Sequence, residues 1–269
     1  MNPHAPSEPA DGTPRQPGRC VQGTHLIDIV FPDQANHHGT LFGGAAVALM
    51  DKAAFIVATR HGRRTMVTAA SDRIDFHAPA RQGQLVDLCG RILRVGSRSM
   101  DVEVDLVAED LLSDRRTLCT RGRFVMVAMD GKGPLPSLDP MPNAPTDTGE
   151  TRMAELVFPG DTNHHQTLFG GRALALMEKA AFVSATRHCR RTVVLAALDR
   201  IDFRTPVREG EMVETVSRVA RTGRTSMHIE VGMYSESLLG GERRLCTRGH
   251  FVMVALDEAG RPTPVPGLG

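Results

Sequence analysis

The sequence predicts an α+β chain of two tandem units, each with one long helix packed on an antiparallel sheet. Phe31–Asp130 aligns with Phe158–Asp257 without a gap, and roughly 60% of the aligned positions are identical, the mark of an internal duplication. Each copy holds one stretch with helical spacing of apolar residues, followed by several β-like runs. The period is far longer than the ~50 residues of solenoid repeats, so this is a duplicated domain.

Residues 1–22 carry prolines at 3, 6, 9, 14 and 17 and are expected to be a disordered tail. The first unit spans 23–131. His25–Val30 reads as a strand, as does Arg152–Val157 in the second copy, and Phe31–Phe42 is a polar loop. From Gly43, Ala46, Leu49, Met50, Ala53, Ala54 and Val57 recur at helical spacing, and the helix ends near Arg60-His61-Gly62. Its alanines predict close packing against a sheet. Four strands follow, at Thr65–Phe76, Gln84–Val95, Ser99–Ala108 and Arg116–Met129, with Pro79, Gly83 and Gly96 at the turns. In the third of these, Met100, Val102, Val104 and Leu106 alternate with Asp101, Glu103 and Asp105, as in a half-buried antiparallel strand. One apolar helix is buried only if a sheet curls around it. The proline-rich 132–149 reads as a linker, 150–260 as the second unit and 261–269 as a tail.

Composition narrows the function classes. Apolar residues make up 41% and charged residues 23%, which is ordinary globular usage. A net charge of +1 supplies no field for nucleic acid or an anionic membrane, so neither is an expected partner. No apolar run approaches the ~20 residues that span a bilayer. Five scattered cysteines without a CxxC argue against a disulfide framework or a structural zinc site and point to a reducing cytoplasm.

The stretch that carries chemistry is Asn36-His37-His38-Gly39-Thr40-Leu41-Phe42-Gly43-Gly44, leading into the helix that holds Asp51. It returns as Asn163-His164-His165-Gln166-Thr167-Leu168-Phe169-Gly170-Gly171, and its helix holds Glu178. Thioester hydrolysis needs a polarised carbonyl and an activated water. N–H groups at a helix start lack intrahelical partners and sit at the positive dipole end. Gly43 and Gly170, without a Cβ, let an acyl group approach that backbone. Each is a candidate oxyanion donor, a role worth ~3 kcal/mol elsewhere. Asn36 or Asn163 offers a second donor, and Asp51 or Glu178, about two turns inside the helix, a general base. Direct attack by the carboxylate is the competing route.

Single residues of this set have simpler readings. Glycine at a helix start is ordinarily a cap, and loop asparagine a turn residue. Adjacent His37 and His38 lack a third ligand, so no metal site is expected. His61 and His188 suit the negative helix end, and Arg63-Arg64 and Arg190-Arg191 read as solvated surface. Cys119 and Cys246 read as small buried residues.

With Asn-x-x-Gly-x-x-Phe-Gly-Gly, the helix acid, Val67-Thr68, Asp72, Phe76-His77-Ala78-Pro79, Gly83 and the Gly96–Val104 strand, the chain resembles the hotdog-fold acyl-CoA thioesterases. It resembles most the branch with two hotdog units in one chain, over residues 23–131 and 150–258. Two departures stand out: phenylalanine (Phe42, Phe169) precedes the glycine pair where many relatives have histidine, and Gln166 replaces the loop glycine. The resemblance implies that the units pair into one continuous sheet, with each site built from the loop of one and the helix acid of the other. It also implies an acyl-CoA substrate with no further cofactor, CoA being part of substrate and product. A homo-oligomer, of trimers of double units, is a further implication.

On that pattern Asp51 and Thr68 join Asn163 and Gly170, while Asn36 and Gly43 join Glu178. The second copy has Leu195 in place of Thr68 and a longer acid, a misplacement of the kind that costs ~100-fold, so the Asp51 site is expected to be the productive one. Arg94, Arg121, Arg221 and Arg248, near strand ends, are the expected partners of the CoA phosphates. An acyl-CoA-binding sensor without catalysis is the alternative function. A hydroxyacyl-thioester dehydratase comes third, because the helix offers an acid without the usual histidine partner.

Overall fold

The computed structural model describes residues 24–138 and 149–268. The expected tail 1–22 and residues 139–148 of the linker lie outside them. In the first unit, β1 (Thr24–Ile29) leads through a short turn, Pro32–Gln34, to α1 (Gly43–Gly62). Then come β2 (Met66–Phe76), β3 (Leu85–Val95), β4 (Ser99–Glu109) and β5 (Arg116–Ala128). The second unit repeats this as β6 (Thr151–Leu156), the turn Pro159–Asp161, α2 (Gly170–Cys189), β7 (Thr192–Leu198), β8 (Met212–Thr222), β9 (Ser226–Glu236) and β10 (Arg243–Leu256). The strand order is β1-β3-β4-β5-β2 in one sheet and β6-β8-β9-β10-β7 in the other, with every pairing antiparallel.

The predicted elements match to within a residue or two, except that β7 stops at Leu198 while its counterpart β2 runs to Phe76. Beyond Leu198 only isolated backbone bonds persist, from Asp199 N–H to His250 O and from Arg204 N–H to Cys246 O. In place of the one continuous sheet expected, the strands form two five-stranded sheets that meet at their β1 and β6 edges without pairing there.

Each helix lies in the curl of its own sheet. Ala53, Ala54 and Ala58 are fully buried in α1, and a Cβ on Gly90 of β3 would come within 2.7 Å of Val57. Small residues are therefore required for this close approach. The two cores also exchange residues: Ala154, Leu156 and Met212 pack into the first, and Ile27, Leu85 and Leu111 into the second.

Ion pairs across the junction obey the internal symmetry. Arg60 bonds both oxygens of Glu236, and Arg187 both oxygens of Glu109. Arg63 and Arg190, expected on solvated surface, instead close their helices in the left-handed conformation (φ 49° and 51°) and donate to Leu238 O and Leu111 O of the other unit. Those cross-unit bonds hold a backbone conformation that costs about 1 kcal/mol without glycine. Arg64 is likewise buried, donating to Asp130, Lys132 O and Gly133 O.

The packed units run past the expected boundaries. Leu135 is buried in the first core and Val265 packs on the second, while His61 and His188 each bond a carbonyl in these segments, Pro136 O and Pro266 O. Cys119, Cys189 and Cys246 are buried free thiols.

Candidate active site

The loop before each helix is built around its asparagine. Asn163 Oδ1 accepts from His165 N–H (2.8 Å), Thr167 N–H (3.3 Å) and Thr167 Oγ1 (3.1 Å). Asn36 does the same with His38 N–H (2.9 Å), Thr40 N–H (3.3 Å) and Thr40 Oγ1 (3.2 Å). Backbone donors fix which end of the amide is oxygen, so Nδ2 is the end turned away from the loop. The simple turn reading is thus correct for the oxygen and leaves the nitrogen as a donor. Gln166 adopts the left-handed conformation of Gly39 (φ 57° against 68°), so its substitution leaves the loop shape unchanged.

Helices α1 and α2 start without a side-chain cap and without an acid in the first turn. The first intrahelical bonds come from Ala46 N–H to Phe42 O and from Ala173 N–H to Phe169 O. The preceding N–H groups, including those of Gly43 and Gly170, therefore keep their positive end unneutralised. Each glycine borders a cleft of its own unit. That at Gly43 measures about 330 Å³ and is walled by Ala46, Phe76, Ala78 and Cys119. That at Gly170 measures about 280 Å³ and is walled by Ala173, Phe203, Met233 and Cys246. Burial pushes the Cys119 thiol up, against a nucleophilic role.

The two glycines are not equivalent. A Cβ on Gly43 would stand 3.7 Å from the Phe76 ring, whereas one on Gly170 would meet nothing within 4 Å. Gly170 is exposed, whereas Gly43 is half-buried beside Phe76. Identical Phe76 and Phe203 sit on differently formed strand ends, so the sequence held no signal for this difference.

The acids differ as well. Thr68 Oγ1 on β2 donates to Asp51 Oδ1 at 2.5 Å, so it orients the carboxylate itself. Leu195 cannot do this for Glu178, which accepts no hydrogen bond from a described residue, and burial alone pushes its carboxyl up. A raised carboxyl is a common mark of a general base.

Asp51 makes no hydrogen bond with Asn163 or Gly170; the connection between them runs through the next residue. Lys52 Nζ donates to Glu155 Oε1 at 2.6 Å and stands 6.0 Å from the Phe158 ring centroid, at the root of the Asn163 loop. Lys179 bonds Asp28 Oδ1 at 2.7 Å in the symmetric position. The carboxylate turn of each helix thus abuts the strand that feeds the other unit's loop, a pairing that a linear reading of charges does not reveal.

The four expected phosphate-binding arginines lie elsewhere. Arg94 pairs with Asp101, Arg121 with both oxygens of Asp105, and Arg221 with the His228 ring, while Arg248 stands 3.7 Å from Glu230. None lines either glycine cleft. The His37 and His38 rings meet at a 45° tilt with centroids 3.8 Å apart, and no cluster among the described residues is arranged to hold a metal.

The model of the thioesterase superfamily matches this chain twice, over residues 38–113 and 165–240. The chain belongs to that superfamily. Both matches begin in the asparagine loop and run through the helix acid of a unit. Among solved structures, this thioesterase is similar to an acyl-CoA hydrolase from Agrobacterium tumefaciens, with 48% identity and a TM-score of 0.82, covering 90% of this chain and 97% of that one. Among curated proteins, the cytosolic acyl coenzyme A thioester hydrolase of Rattus norvegicus is 25% identical across 94% of this chain and 78% of its own length. An uncharacterized acyl-CoA thioester hydrolase of Bacillus subtilis is 44% identical, covering 45% of this chain and 74% of its own. No described helix is long and apolar enough to cross a membrane.

Proposed function

We propose that this thioesterase hydrolyses acyl-CoA to a free acid and CoA, at a site that joins Asp51 and Thr68 of the first unit to Asn163 and Gly170 of the second. The observation that carries the reading is the coincidence of two asymmetries on one composite site: of Asp51 and Glu178 only Asp51 accepts a hydroxyl from a described residue, and of the two helix-start glycines Gly170 is the more exposed. The relatives' printed activities support the substrate class.

In this reading the acyl chain enters the mostly apolar cleft beside Gly170, and the thioester oxygen faces the Gly170 N–H and Asn163 Nδ2. Asp51, held by Thr68, takes the proton of the attacking water. The tetrahedral oxyanion forms where the helix N-terminus and the amide already point, and its collapse expels the CoA thiolate. Attack by Asp51 itself, through an anhydride, uses the same geometry. No resident cofactor is needed, because CoA arrives and leaves with the substrate. The site of Asn36, Gly43 and Glu178 binds acyl-CoA and turns it over more slowly, a second activity favoured by the raised Glu178 carboxyl.

Three further parts of the proposal concern setting. The chain works in the cytoplasm, as the name of the rat relative indicates for that protein. The exposed edge residues Val67, Val194, Leu195 and Leu198, with Phe42 and Phe169 some 60% exposed, call for cover by further copies, and a trimer of double units is the assembly proposed. Arg94, Arg121, Arg221 and Arg248 remain the proposed phosphate contacts only where CoA reaches the sheet surface.

The deciding experiment compares thiol release by Asp51→Asn and Glu178→Gln. Loss in the first with most activity retained in the second supports the assignment, and the opposite pattern reverses it. Tight acyl-CoA binding without release by the wild type would instead favour the sensor.

A further inference from the structure

We infer that Lys52 is a positioning residue for the hydrolytic site, holding the Asp51 turn in register with the second unit's oxyanion loop. The inference rests on the reading that Asp51 works with Asn163 and Gly170. Lys52 follows Asp51 on α1, and its ammonium bonds Glu155 at 2.6 Å on β6. The same ammonium stands 6.0 Å from the Phe158 ring, the residue that opens the turn Pro159–Asp161.

That turn is tied directly to the oxyanion helix. Phe169 N–H donates to Asp161 O at 2.9 Å, so the turn abuts the residue just before Gly170. Its other end leads into Asn163, whose own N–H is fixed on Thr167 O at 2.9 Å. A continuous chain of contacts thus runs from the Asp51 turn through Lys52, Glu155 and Phe158 to both oxyanion donors. Lys52 and Glu155 are only 20% and 18% exposed at their side chains, so water screens the pair incompletely. A shift of about 1 Å between an acid and its substrate costs up to ~100-fold, so this link has catalytic leverage without touching substrate.

The internal symmetry supplies its own control. Lys179 makes the equivalent bond to Asp28 across the same junction, with side chains 14% and 15% exposed, beside the slower Glu178 site. Removal of either lysine breaks one junction ion pair of similar kind. Only Lys52 adjoins the oriented acid.

The test measures kcat, KM and thermal midpoint for full-length Lys52→Met, Lys179→Met, Lys52→Glu and the exchanged pair Lys52→Glu with Glu155→Lys, using a short-chain acyl-CoA that the wild type hydrolyses. The expected result is a ~10- to ~100-fold fall in kcat for Lys52→Met with KM within ~2-fold, no such fall for Lys179→Met, and similar midpoint shifts in both. The exchanged pair is expected to recover kcat to within ~5-fold of wild type. Equal kcat losses in the two methionine variants, or none in Lys52→Met, overturn the inference, as does an exchanged pair no better than Lys52→Glu alone. If Lys52→Met fails to fold, Lys52→Gln replaces it with the same criteria. Asp51→Asn in the same series separates the layers: its inactivity beside an unaffected Lys52→Met removes only the role of Lys52, whereas an active Asp51→Asn removes the underlying reading.

Discussion

Replacing Thr68 with valine removes one oxygen and little else. Thr68 is solvent-exposed on the edge strand β2, and its hydroxyl donates to Asp51 Oδ1 at 2.5 Å. A hydrogen bond to a charged group is worth about 1.5–3 kcal/mol, and a tenfold rate change corresponds to about 1.36 kcal/mol. If the bond aims the carboxylate in the transition state, Thr68→Val lowers kcat by ~10- to ~150-fold. An exposed isosteric change moves stability by no more than about 0.5 kcal/mol, so the melting curve stays in place. The assay is thiol release across a range of acyl-CoA concentrations, with Leu195→Val as the symmetric control, expected to stay within ~2-fold of wild type. A Thr68→Val enzyme whose kcat matches wild type, or a Leu195→Val enzyme that loses as much, refutes the orienting role.

The remaining expectations address the oxyanion side and the junction. Gly170→Ala places a Cβ where no atom lies within 4 Å and introduces a residue that favours helix by up to about 1 kcal/mol, so its thermal midpoint holds or rises while kcat falls by ~10-fold or more. Glu109, 1% exposed, accepts from Arg116 and Arg187 with Arg190 at 3.7 Å, so Glu109→Gln leaves buried charge unpaired. A cost of about 3–5 kcal/mol follows, read as a midpoint fall of roughly 10 °C in a thermal scan. Burial alone would raise Asp87, but His25 and Arg116 overrule it and hold the carboxyl at about 2. A folded-state value below the unfolded one gives stability that is present above pH 4 and lost as pH falls toward 2. The amount is about 2 kcal/mol, and urea titrations of Asp87→Asn should show a shallower acid decline than wild type.

The sequence carried the architecture because duplication and periodicity are local signals. Ala46 to Val57 marks one helical face, Met100 to Leu106 one strand face, and the gap-free repeat assigns the same elements to the second copy. The places of Asp51 on its helix, of Asn163 in its loop and of the two glycines at the helix starts were legible for the same reason, since helix starts and loop asparagines follow local rules. What escaped depends on distant neighbours. Lys52 looks like any surface lysine until β6 brings Glu155 against it, and Arg63 like a solvated charge until Leu238 O receives it. The cover of Phe76 over Gly43, absent at Gly170, arises because β2 continues where β7 stops, although the local sequences there are nearly the same.

In the proposed crossed site, the oriented acid of one unit works with the loop amide of the other. Asn36 and Asn163 organise their loops with matching bonds, so loss of either has the same structural cost. The most direct measurement is therefore kcat for acyl-CoA hydrolysis by Asn163→Ala beside Asn36→Ala. The crossed site predicts that Asn163→Ala loses ~100-fold or more while Asn36→Ala keeps most of the wild-type rate. A collapse of Asn36→Ala with Asn163→Ala intact would contradict it and return Asp51 to the loop of its own unit.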